Sequence, residues 1–242
     1  MSDWVFPPPS PVSAPVRGRA ERFPIRRVFC VGRNYAAHAR EMGHAPDGEA
    51  PFYFMKAGEH YAASGSTVPY PPGTSNYHHE VEMVVAIGKE GFRVAEARAL
   101  DHVFGYACGL DMTRRDLQSA AKDKQRPWDT GKNVEQSAVL GEIAPASEIG
   151  HPARGRIELR VNGQPRQAGD LSDLIHSVSA IIANLSLYYH LHPGDLVYTG
   201  TPEGVAAVKA GDRLDGSIEG IGTIALQSVS YTHLTLPTIL RV

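Results

Sequence analysis

The sequence predicts an α+β fold that is mostly β, with few helices. Three observations lead there. Two long stretches, 79–87 and 102–111, alternate in the manner of strands. Short strands separated by glycine fill the region after residue 190. One segment, 177–190, stands out as a helix, with Val178, Ile181, Ile182, Leu185 and Tyr189 at helical spacing.

Composition bounds the problem. A chain of 242 residues matches one large domain, or one domain with a small appendage. The 42% hydrophobic and 21% charged fractions are ordinary for a globular chain. The net charge of −2, without a polybasic run, argues against nucleic-acid and membrane-surface partners. No apolar run approaches the ~20 residues that span a bilayer. Residues 1–22 contain Pro7-Pro8-Pro9 and Pro11 and lack the apolar stretch of a signal peptide. They read as a poorly ordered or strap-like arm, and the cytoplasm is the expected compartment. The domain itself is expected over 23–229. Residues 230–242 abandon the glycine-punctuated pattern and read as a non-native tail, a native final strand being the alternative. Cys30 and Cys108 lie in apolar runs and are expected to be buried thiols.

Taken in order, 27–31 is a short apolar strand ending at Gly32. Asn34 is placed to cap a short helix favoured by Ala36, Ala37 and Ala39 and stopped by Gly43. On that helix His38 and Glu41, three apart, face the same way. A strand at 52–55 is followed by Lys56, and the proline-rich 69–73 turns into the acidic strand. There Val81, Met83, Val85 and Ile87 form one apolar face, and Glu80 and Glu82 share the other with Val84 and Ala86. The two carboxylates are about 7 Å apart along the strand. Two such acids on a buried strand repel and resist desolvation. Either a hard divalent cation sits between them, or the strand's first residues emerge into water.

The strand at 102–111 has a face of Val103, Gly105, Ala107 and Gly109 ending in Asp111, and an opposite face of Phe104, Tyr106, Cys108 and Leu110. Small residues leave room for something to lie against the backbone. Thr113 is expected to cap a helix over 113–124 that Pro127 ends. Asn162-Gly163 signals a hairpin weakened by Pro165. After the 177–190 helix, Pro193-Gly194-Asp195 turns into a strand at 196–198, followed by Thr199-Gly200-Thr201-Pro202-Glu203-Gly204.

Four motifs then recur in one order: Gly-Arg-Asn-Tyr-x-x-His-x-x-Glu at 32–41, the acids at 80 and 82, Asp-Met-Thr-x-Arg-Asp at 111–116, and Thr-Gly-Thr-Pro-x-Gly-Val at 199–205. Together they resemble the fumarylacetoacetate hydrolase family over roughly 27–229. Within it, His78-His79-Glu80, 111–118 and Arg126-Pro127-Trp128 are similar to the fumarylpyruvate hydrolase and acylpyruvase members. One departure is Ala206, where the family commonly continues Gly-Val-Gly.

The resemblance implies a mixed β-sheet roll with a few peripheral helices, and a homodimer. It implies a divalent metal, Mg²⁺ or Mn²⁺ with Ca²⁺ also admissible, held by Glu80, Glu82 and Asp111. It implies His38 and Glu41 as a catalytic pair and Lys132 as a catalytic group reaching substrate oxygens near the metal. The bland reading of His38 and Glu41 is a surface helical pair worth about 0.3 kcal/mol. Arg33, Tyr35, Arg115, Gln118 and Thr201 are the implied substrate-binding residues. Lys124 and Arg114 read as solvated helix charges, and the 199–202 loop alone reads as a plain turn. The implied activity is metal-dependent hydrolysis of a carbon–carbon bond in an acylpyruvate, fumarylpyruvate foremost, in gentisate-type aromatic catabolism. The substrate is thus a small 2-keto acid. Family members also decarboxylate oxaloacetate, or isomerise or decarboxylate hydroxymuconates. A non-catalytic keto-acid binder is the reading from another class. Residues around 33–60 are expected to form a lid that orders over the substrate.

Overall fold

The computed structural model describes residues 4–41 and 49–230. The expected stop at Gly43, part of the expected lid, and the tail beyond Ser230 lie outside them.

An eight-stranded mixed sheet is the frame. Its order is Tyr53–Lys56, Arg27–Val31, Asp195–Tyr198, Val81–Ile87, Val103–Asp111, Ala138–Leu140 and Tyr61–Ala63, with Ala144–Pro145 also paired to Val103–Asp111. Asp195–Tyr198 runs parallel to Arg27–Val31, and Ala138–Leu140 parallel to Tyr61–Ala63. The other neighbours on this path are antiparallel. A five-stranded sheet runs Gln164–Asp170, Arg156–Val161, Arg213–Ile218, Gly222–Val229 and Ser66–Pro69. The Asn162-Gly163 hairpin forms despite Pro165, with an irregularity between Leu159 and Arg160 taking up the misfit.

The acidic strand is buried along its whole length, because both faces of its sheet are covered. Val81, Met83, Val85 and Ile87 meet Ile157, Leu159, Leu214, Ile224 and Leu226 of the second sheet and Ile181, Ile182 and Leu185 of the helix Val178–Tyr188. On the other face, Val84 and Ala86 join Val28, Cys30, Leu140, Leu196 and Tyr198 in a second core. Both cysteines are buried free thiols.

Several expectations shift. Ala14, Val16 and Phe23 belong to this second core, and Ser13–Pro15 pairs with Arg22–Pro24. The boundary expected at residue 22 therefore falls inside a packed hairpin. In Val103–Asp111 the pairing slips so that Ala86 faces Gly105 and Ile87 faces Val103. This bulge sends Phe104 to the second core and Val103 to the first, reversing the alternation expected at that end. The space beside the small residues is filled by protein: a Cβ on Gly109 would stand 2.8 Å from the Tyr198 ring. Thr113 is not a helix cap. Thr113–Arg114 pairs with Tyr77–His78, and the helix occupies Arg115–Asp123. The helix after Asn34 covers Ala36–Glu41, and Asn34 does not cap it. Its amide donates to His176 O and Thr199 O and accepts from His176 N, so it ties two loops together. The helix Val178–Tyr188 is capped by Ser177, with Tyr189 just beyond its end. Among the described residues no helix is long and apolar enough to cross a membrane.

Candidate active site and metal centre

Two neighbouring central strands bring the acids together. Asp111 N donates to Glu80 O at 2.9 Å, locking the start of one strand to the end of the other. One carboxylate oxygen from each of Glu80, Glu82 and Asp111 lies within 4.8 Å of the others. All three side chains are buried. The strand end does not open into water; it opens into a cavity that Glu80 and Glu82 line.

Each acid has a different counterweight. Burial alone would push Glu80 up. Lys132, Arg115 and His38 outweigh burial and hold its carboxyl well below the usual range. Arg115 Nη2 donates to Glu80 Oε1, and Lys132 Nζ lies 2.8 Å from Glu80 Oε2. Glu82 is the opposite case. Burial, then the charges of Asp111 and Glu80, push its carboxyl well above the ordinary value, although Gly200 N donates to Oε2 at 2.7 Å. That bond needs the backbone of Gly200 close to Asn34: a Cβ there would meet Asn34 Cβ at 2.7 Å, and φ is +102°. Asp111 accepts from Lys132 through Oδ2 at 2.8 Å. Its Oδ1 lies 2.8 Å from Lys56 Nζ. The Lys56 ammonium, however, has three other acceptors in Met112 O, Lys132 O and Ser137 Oγ. Asp111 Oδ1 thus lacks an aligned donor.

This arrangement fits a hard cation. Three buried carboxylates converge, one is costly to ionise, and one buried oxygen is without a hydrogen bond. Oxygen-only donors suit Mg²⁺, Mn²⁺ or Ca²⁺.

His38 lines the same cavity from the helix Ala36–Glu41 and is buried. Its Nδ1 lies 3.0 Å from Glu41 Oε2. A carboxylate can only accept there, so Nδ1 is the donor, and in the neutral imidazole the lone pair then sits on Nε2. Glu41 also accepts from Gly204 N at 3.1 Å, which braces the pair against the 199–204 loop. The cavity wall further includes Arg33, Phe52, Phe54, Arg115, Gln118, Lys122, Trp128, Lys132, Gly200 and Thr201. Lys132 Nζ donates to Thr113 Oγ1 at 2.8 Å and sits 4.7 Å from the Phe54 ring centroid.

The expected substrate-binding residues fare unevenly. Arg33, Arg115, Gln118 and Thr201 line the cavity; Tyr35 is buried and forms no part of its wall. The Thr201 hydroxyl donates to Val81 O and accepts from Gln167 Nε2, so it is spent within the protein. Lys56, Gln167 and Lys122 were not anticipated. Alternation from Phe54 placed Lys56 on an inward face, where a lysine requires a buried acid. Gln167, which also contacts His79 Nδ1 and Val81 N, carried no sequence signal.

The chain is similar to known proteins in sequence and in fold. The family described as fumarylacetoacetate (FAA) hydrolase C-terminal matches residues 27–228. Fumarylpyruvate hydrolase of a Ralstonia species is 57% identical over 178 residues, covering 74% of this chain and 92% of that one. The human mitochondrial oxaloacetate tautomerase FAHD1 is 42% identical over 196 residues, covering 81% and 88%. The crystal structure of fumarylpyruvate hydrolase from Pseudomonas aeruginosa, in complex with Mn²⁺ and pyruvate, superposes with a TM-score of 0.92 at 49% identity, covering 94% of this chain and all of that one.

Proposed function

Since the chain belongs to the fumarylacetoacetate hydrolase family, we propose that it cleaves the carbon–carbon bond of an acylpyruvate, fumarylpyruvate foremost, to fumarate and pyruvate. The observation that carries this reading is one cavity lined by Glu80 and Glu82, whose carboxylates converge with that of Asp111, together with a carboxylate-oriented imidazole and a buried ammonium.

Glu80, Glu82 and Asp111 would hold Mn²⁺ or Mg²⁺, which supplies Lewis-acid charge for a 2-keto acid's oxygens. His38, its Nδ1 proton held by Glu41, takes a proton from water through Nε2. The hydroxide oxygen bonds to the acyl carbonyl carbon. The bond from that carbon to the pyruvyl methylene then breaks, and its electron pair leaves with pyruvate as the enolate. Lys132, whose ammonium is kept charged against burial by Asp111 and Glu80, faces that developing negative charge. Protonation of the methylene carbon completes the balance. Positioned acid–base catalysis of this kind contributes about 10²–10⁴-fold.

A second reading draws on the FAHD1 relatives: proton transfer at C3 of oxaloacetate, with no bond to water. The same groups serve it, because both reactions place charge on a pyruvyl enolate. Product analysis separates the two. Metal-loaded protein given fumarylpyruvate should release fumarate and pyruvate in equal amounts, and chelation should abolish this. Failure to cleave fumarylpyruvate, with rapid ketonisation of enol-oxaloacetate, would transfer the assignment to the tautomerase.

The proposal places the enzyme in the cytoplasm, in gentisate-type aromatic catabolism, as a homodimer. Exposed Phe92, Leu187 and Tyr188 around the stacked Phe92–His190 pair support a self-association surface. Sedimentation equilibrium tests it, a monomer at micromolar concentration contradicting it.

A further inference from the structure

The strand Gln164–Asp170 forms an edge of the five-stranded sheet, and its residues are exposed or half-buried with one exception. Gln167 is 1% exposed. A glutamine kept out of water needs partners for two N–H groups and two lone pairs. Gln167 has all four. Its Oε1 accepts from Val81 N at 3.1 Å and lies 2.9 Å from His79 Nδ1. Its Nε2 donates to Pro202 O and Thr201 Oγ1, both at 2.8 Å.

The orientation of this amide is forced. Val81 N only donates and Pro202 O only accepts, so exchanging the amide's oxygen and nitrogen would break both bonds. His79 Nδ1 is then the donor to Oε1, and the Thr201 hydroxyl gives its own hydrogen to Val81 O at 2.7 Å. Gln167 thus ties the start of the acidic strand to the loop 199–204, although it is no part of the cavity wall.

That loop carries two amides into the site. Gly200 N donates to Glu82 Oε2 at 2.7 Å, and Gly204 N to Glu41 Oε1 at 3.1 Å. Pro202 stands midway between them. A Cβ on Gly204 would collide with Arg166 O, so the loop lies directly on the strand that bears Gln167.

We propose that Gln167 is a positioning residue serving both the carboxylates and the imidazole: it sets the backbone of 199–204 so that Gly200 N meets Glu82 and Gly204 N meets Glu41. Its effect on turnover rests on the acylpyruvate reading; its effect on the loop does not.

The test compares wild type with Gln167→Met, which keeps the length and removes every hydrogen bond. In metal-free protein, hydrogen exchange of the 199–206 amides should be at least about tenfold faster, a local opening. Arg213–Ile218, two strands away in the same sheet, should keep its wild-type rate. Calorimetry should show Mn²⁺ affinity lowered at least about threefold, through Glu82. At saturating Mn²⁺, kcat on fumarylpyruvate should fall at least about tenfold, with KM within about threefold, through Glu41. In a Glu41→Gln background the same substitution should cost less than about threefold, because the contact it disturbs has already lost its charge. A merely smaller folded fraction would cost the same factor in both backgrounds. Should Gln167→Met not fold, Gln167→Asn, whose amide stops one methylene short, carries the same comparison in the same direction. Unchanged exchange in 199–206, unchanged Mn²⁺ affinity, or an equal kcat loss in both backgrounds overturns the inference and leaves the hydrolase reading standing. A wild type that leaves fumarylpyruvate intact overturns the hydrolase reading alone, and the exchange comparison still decides the role of Gln167.

Discussion

The cavity has two halves built by different means. The carboxylate half stands on two central strands whose ladder runs from Val81 to Ile87 and whose side chains are fixed by Lys56, Lys132, Arg115 and Gly200 N. The imidazole half stands on the six-residue helix Ala36–Glu41, held by Asn34 behind and Gly204 in front. The strand half gathers charges that repel one another and hold their place through the surrounding sheet. The helical half gathers one weak base whose usefulness depends on a few hydrogen bonds. A site built this way pairs fixed electrostatics with an adjustable proton acceptor.

The largest effect is expected in the strand half. Glu82→Gln keeps the shape and removes a charge; it should cost at least about 10³-fold in kcat/KM and abolish measurable Mn²⁺ binding by calorimetry. Full activity in this variant would break the comparison at its stronger side. His38→Ala should cost about 10²-fold or more in kcat while Mn²⁺ affinity stays within about twofold. Equal losses of metal affinity and turnover would show that the halves are not separable.

Asn34→Ala probes the support of the helical half. It leaves His176 N and Thr199 O without their partner, and should destabilise the protein by about 1–3 kcal/mol in urea titration. A change under about 0.5 kcal/mol would mean that the helix is held from elsewhere.

The smallest effect sharpens the contrast through pH. Burial and then the charges of Asp111 and Glu80 raise Glu82, so between the unfolded glutamate's value near ~4.3 and the raised folded one the native state keeps a proton that the unfolded state has lost. Metal-free stability attributable to Glu82 therefore falls as pH rises through that window. Metal binding within it should release up to about one proton, read by calorimetry in buffers of different ionisation enthalpy. The release should disappear in Glu82→Gln.

The same contrast explains what could be read from the sequence. Strand periodicity is local, so Glu80, Glu82 and Asp111 were visible as acids on the faces of two strands. Their convergence depended on the pairing of those strands, which the family resemblance supplied. His38 and Glu41 were legible as neighbours on a helix, since a separation of three suffices. The tethering of Asn34 was not: its partners, His176 and Thr199, lie more than a hundred residues away. A strand pattern also could not show that the small face of Val103–Asp111 is filled by Tyr198, or that a bulge turns Phe104 over. Nor could composition show that the hairpin Ser13–Pro15 and Arg22–Pro24, in a proline-rich arm, covers a second core. Lys122 stayed hidden because a helical lysine is ordinarily a solvated charge.

The most direct test is an anomalous-scattering map of Mn²⁺-soaked crystals, collected at the manganese edge. A single strong peak within bonding distance of Glu80, Glu82 and Asp111 is the expected result. A peak elsewhere, or none near these acids in crystals of active protein, would contradict the account.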